Sequence, residues 1–94
     1  MLNNKENFMS SFVMSLAAEK CWRVKYFKAE RQLIGLHSNK YSCHMDIYLR
    51  SNRVITAMDH PNGISILERS GISPLLLKEL FNNPRLHTSK GRRI

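Results

Sequence analysis

From residue 41 to residue 50 the chain alternates strictly. Cys43, Met45, Ile47 and Leu49 are apolar, and Ser42, His44, Asp46, Tyr48 and Arg50 between them carry polar groups. A period of two belongs to an extended strand, whose successive side chains point to opposite faces of a sheet. One face of such a strand is then covered by core, and the other meets water or a partner. The two segments that follow are of the same kind: residues 53–58 are rich in β-branched side chains, and residues 64–69 again suit a strand. Ser51-Asn52 and Asp59-His60-Pro61-Asn62-Gly63 separate them with turn chemistry, Pro setting one φ angle and Gly permitting a positive one. Three runs joined by such short connections predict an antiparallel meander.

Other periods flank this meander. Phe8, Phe12 and Leu16 recur with Met9 and Val13 at spacings of three and four, which predicts a helix over 5–20 capped by Asn4 or Asn7. The period returns to two over 21–28, where Trp22, Val24 and Tyr26 are expected on the core side and Arg23 and Lys25 on the other. Residues 29–36 are open to two readings, a short strand from Gln32 or a helix built on good helix formers. Residues 37–40 read as a turn. Near the C-terminus, Ser73 is a natural N-cap, Pro74 a natural first helical residue, and Ile72 and Leu77 have the spacing of a hydrophobic staple. Pro84 blocks continuation, so a helix is expected over 74–82 with Leu76, Leu77, Leu80 and Phe81 on its core stripe. The expectation is one α+β domain over 1–94: an antiparallel sheet of four or five strands, with an N-terminal and a short C-terminal helix on one face and flexible ends at 1–6 and 89–94.

Charge bounds the partners. Fifteen Lys and Arg oppose seven Asp and Glu, a net charge of +8. An excess this large in a small domain favours polyanions such as nucleic acid, a nucleotide, anionic lipid or an acidic protein surface. Cys21 and Cys43 make neither a disulfide framework nor a zinc motif, and both are expected as reduced core thiols in a cytoplasmic protein. The apolar stretch 12–18 is far below the roughly 20 residues of a membrane span, and Ser15 within it and Glu6 before it argue against a signal peptide.

Two clusters carry candidate chemistry. The first is the C-terminal run NNPRLHTSKGRRI, in which Arg85, His87, Thr88, Ser89, Lys90, Arg92 and Arg93 stand without an acid. Guanidinium and ammonium groups donate charge-assisted hydrogen bonds to phosphate, and hydroxyls and Gly let the backbone approach. The run lacks the order and the strand context of a Walker loop. The second is the solvent side of the strands, where Arg23, Lys25, His44, Tyr48 and Arg50 combine charge with an aromatic ring, as single-stranded nucleic acid binding requires. On the same side His44 and Asp46, two apart on a strand, suit a general base or part of a metal site completed by Asp59, His60 or His87. No HxxxH or CxxC spacing supports the metal, and mutual polar pairing with Arg50 is the simpler expectation.

The sequence therefore predicts a small basic protein that binds nucleic acid or a nucleotide, with no cofactor and no membrane. The alternatives are an interaction module or inhibitor docking on an acidic protein, a role suited to a short Lys- and Asn-rich chain of the phage or mobile-element accessory kind, or a nucleotide-sequestering protein with a pocket at a homodimer interface. Enzyme motifs are missing from the sequence, so the expectation is not an enzyme. The lesser alternative is a metal-independent phosphodiesterase using His with Arg or Lys.

Overall fold

The computed structural model describes residues 4–60, 63–84 and 91–93. A helix α1 (Asn4–Glu19) leads into strand β1 (Arg23–Lys28). A single 3-10 turn (Ala29–Arg31) precedes β2 (Leu33–Ser38), followed by β3 (Cys43–Tyr48), β4 (Arg53–His60) and β5 (Gly63–Ser70). Helix α2 (Pro74–Asn82) and a short strand β6 (Gly91–Arg93) complete the order. The five consecutive strands form the expected antiparallel meander, and β6 adds antiparallel to β5, so the sheet runs β1-β2-β3-β4-β5-β6. Half of the expected flexible ends, residues 1–3, 89–90 and 94, lies outside the described residues, and of the other half 4–6 belong to α1 and 91–93 to β6.

Local chemistry accounts for most of these elements. Ser73 caps α2 by accepting a hydrogen bond from the Leu76 amide at 3.1 Å, and Pro74 opens the helix. At its other end two aromatics satisfy carbonyls that a helix leaves without partners: Trp22 Nε1 donates to Phe81 O at 3.1 Å and the Tyr41 hydroxyl to Asn82 O at 2.7 Å. Residues 29–36 resolve into both readings. The helix formers make only the 3-10 turn, Gln32 takes a left-handed φ of 51°, and the strand starts at Leu33. The same device precedes β3 and β4, where Ser42 and Asn52 have φ of 48° and 57°. The strand expected over 41–50 is accordingly trimmed to its central six residues, with 49–52 as the turn. Asp59 and His60, expected in a loop, extend β4 and pair with Ile64 and Gly63.

Both helices lie on one face of the sheet. Met9, Val13, Leu16 and Ala17 from α1 and Leu77, Leu80 and Phe81 from α2 pack in one cluster with Ile34, Leu36, Cys43, Met45, Ile47, Val54 and Met58. Cys43 is the expected core thiol. Cys21 corrects the expectation: it is exposed in the turn between α1 and β1, where a φ of 62° places it outside the strand alternation. Among the described residues no helix is long and apolar enough to cross a membrane.

Candidate functional site

The face opposite the helices is built from the residues that alternate with the core positions. Strand pairing orders them in rows across the sheet. Arg23, His37, His44, Ala57 and Ile66 are successive partners in one row, and Tyr26, Gly35, Asp46, Ile55 and Glu68 in the next. A third row starts Lys28, Leu33, Tyr48, Arg53. No described helix covers this face.

At its centre three side chains bond together. The Tyr26 hydroxyl donates to Asp46 Oδ1 at 2.5 Å, and His44 Nε2 lies 2.8 Å from the same oxygen and 3.1 Å from the Tyr26 hydroxyl. A carboxylate oxygen accepts only, so His44 carries its proton on Nε2 towards Asp46 and leaves Nδ1 as the lone-pair nitrogen. Among the described residues nothing bonds that Nδ1. The imidazole is about a third exposed and the Asp46 carboxylate less so, at 35% and 22%. Burial, and then the hydrogen bond to the Asp46 carboxylate, push the Tyr26 phenol up to about 12, so it stays a donor throughout the neutral range. A backbone gap makes room for the ring. Gly35 lies beneath Tyr26, and a Cβ on it would stand 2.2 Å from the nearest ring carbon.

Cations flank this centre. Lys28 Nζ sits 5.3 Å from the centre of the Tyr26 ring, and the Arg53 guanidinium lies 4.7 Å over Tyr48. Arg53 also bonds Glu68 Oε2 at 2.9 Å, while its Nε is buried without a partner among the described residues. Arg23, exposed, is paired with His37 at the end of the first row.

Of the site residues expected from the sequence, Arg23, His44 and Tyr48 stand on this face. Tyr26 reverses its expected side. The register slips between Val24 and Tyr26, so the extra residue, Lys25, bulges out of the ladder and the side chains after it are turned over. That bulge also separates Lys25 from Arg23, which strict alternation would have kept together. Arg50 belongs to the turn after β3, at the end of the sheet where Tyr48 and Arg53 lie, and the partner that completes the His44–Asp46 pair is Tyr26. Arg85, His87, Thr88, Ser89 and Lys90 lie outside the described residues. The backbone of Arg92 and Arg93 is in β6, opposite Glu68 and Leu67. Sequence reasoning missed Lys28, His37 and Arg53 on this face. For His37 and Arg53 the signal was present as alternation with Leu33 and Gly35 and with Ile55 and Ala57. Among the described residues no three His, Cys, Asp or Glu side chains gather as a metal ion would require.

No protein-family model, no curated protein and no solved structure matches this chain. The functional reading therefore rests on the face itself.

Proposed function

We propose that this protein binds single-stranded nucleic acid on the face of its sheet opposite the helices. The observation that carries the reading is the pairing of aromatics with cations there: Tyr26 with Lys28 at 5.3 Å and Tyr48 with Arg53 at 4.7 Å, with Arg23 on the same strand as Tyr26. Unpaired bases stack on aromatic rings whatever their sequence, and the linking phosphates are held by neighbouring Lys and Arg. The net charge of +8 supplies long-range attraction, and the basic segment Arg85, His87, Thr88, Ser89, Lys90, Arg92 and Arg93 extends the same chemistry. A second reading, docking on an acidic protein segment, is favoured by strand β1, which forms a sheet edge with exposed Val24 and Phe27 between its cations.

Fluorescence anisotropy of a labelled single-stranded oligonucleotide between about 50 and 200 mM salt tests the first reading. Affinity is expected to fall linearly in log-log form, with roughly one unit of slope lost for each phosphate-contacting cation neutralised at Arg23 or Lys28. Tyr48→Ala is expected to weaken binding by about 1–3 kcal/mol. A flat salt response with Tyr48→Ala indistinguishable from the parent would sink it. Protein purified at low salt free of nucleic acid, but bound to one acidic protein, would favour the second reading.

A further inference from the structure

The geometry points to a ribonuclease activity on this face, in which His44 is the general base and His37 the general acid for metal-independent cleavage of single-stranded RNA. The inference rests on the nucleic-acid reading above and goes beyond it by adding a reaction and a choice of sugar. It starts from a juxtaposition the strand pairing creates: His37 and His44 are direct partners across β2 and β3, both half-buried on the face opposite the helices. Directly opposed residues of an antiparallel pair have Cβ atoms about 4.5–5.5 Å apart, so both imidazoles are close enough to reach a single phosphate group laid on the face.

The two imidazoles are not equivalent. His44 is oriented by Asp46, which holds its Nε2 proton at 2.8 Å, and Asp46 is in turn held by the Tyr26 hydroxyl. That arrangement directs the Nδ1 lone pair away from the carboxylate and stabilises the imidazolium formed when Nδ1 takes a proton. Among the described residues His37 has no such carboxylate; its partner on the other side is Arg23. Arg23 is placed to hold the phosphate oxygens as charge builds on them.

The reaction balances without a metal or a co-reactant. His44 Nδ1 removes the proton of a ribose 2′-hydroxyl, and the 2′-oxygen forms a bond to the adjacent phosphorus. The bond from phosphorus to the 5′-oxygen of the next nucleotide breaks, and the leaving oxygen takes the proton of the His37 imidazolium. The products are a 2′,3′-cyclic phosphodiester and a free 5′-hydroxyl. Solvent then returns a proton to His37 and removes one from His44. DNA and 2′-O-methyl RNA lack the nucleophile and are bound but not cut.

The assay is cleavage of a 5′-labelled single-stranded RNA in the presence of a chelator, alongside anisotropy with the 2′-O-methyl oligonucleotide of the same sequence. Cleavage is expected in the parent, with products ending in 2′,3′-cyclic phosphate. It should fall about 100-fold or more in His44→Gln and in His37→Gln, with melting and 2′-O-methyl binding retained. The rate should trace a bell against pH, its acidic limb lost in His44→Gln and its alkaline limb lost in His37→Gln. Among the described side chains, the charged and titratable groups facing these rings are Tyr26 and Arg23 from β1 and Asp46 from β3, while the β4 residue paired with His44 is Ala57. Asp46→Asn, which lets the His44 tautomer invert, should lower kcat while melting and KM for the RNA are retained, whereas a merely structural Asp46 would lower the melting temperature along with the rate. Intact RNA beside normal 2′-O-methyl binding would overturn the nuclease and leave the binding reading standing. Cleavage that persists in the His37→Gln, His44→Gln double variant would also overturn it. Loss of 2′-O-methyl binding in the parent would remove both.

Discussion

Gly35 and Tyr26 form one unit. The ring occupies the space where any other residue would carry its Cβ, and the hydroxyl at the far end of that ring secures Asp46. Gly35→Ala must therefore move the Tyr26 ring, and overpacking of this kind costs about 1–3 kcal/mol. A urea titration reads the loss. The same substitution in a Tyr26→Ala background should be nearly neutral, because the obstructing ring is gone, and the coupling in that double-mutant cycle should account for most of the effect. A full loss in both backgrounds would mean that the backbone, not the ring, selects glycine. Nothing in the identity of Tyr26 announces this role. Its spacing from Trp22 and Val24 assigns it to the core, and only the slip of register at Lys25 carries it to the other face.

Helix α2 illustrates an element that short-range chemistry specifies. Cap, first-turn proline, apolar stripe and terminating proline all lie within residues 73–84, and the helix forms over the expected residues. Leu80 is fully buried against the core, so Leu80→Ala should cost about 2–5 kcal/mol, a large part of the stability of a domain this small. Thermal melting within a degree or two of the parent would show that the helix is not a core element. The two carbonyl contacts from Trp22 and Tyr41 at the end of α2 could not be anticipated, since they join residues 59 and 41 positions apart. Strand β1 is the opposite case. Its composition is that of a strand, yet its faces are set by a bulge that pairing with β2 produces.

At the scale of the whole molecule, Arg69 ties the sheet to the C-terminal segment. Its side chain is fully buried on the helix side of the sheet, donating to Thr56 Oγ1 at 3.1 Å and to Pro84 O at 3.3 Å. Its backbone pairs with Gly91 of β6. Removal from water pulls the guanidinium below its ordinary value, with the Cys43 side chain acting weakly the other way. Arg69→Ala would leave a large cavity and strand the Thr56 and Pro84 acceptors, a loss of roughly 3 kcal/mol or more. Urea unfolding and amide exchange at 91–93 should both register it, and an unchanged midpoint would show that Arg69 is not an anchor. What the sequence by itself determined is the set of elements and the α+β class, because period, caps and turn residues act between neighbours a few positions apart. It also determined that the even positions of β3 share a face, which brought His44, Asp46 and Tyr48 together on paper. The tertiary structure alone decided which residues of other strands join them. Pairing register turned Tyr26 to that face and set His37 and Arg53 beside His44 and Tyr48, with Arg69 buried on the other face, because each of those juxtapositions depends on contacts between strands that the chain brings together only when it folds.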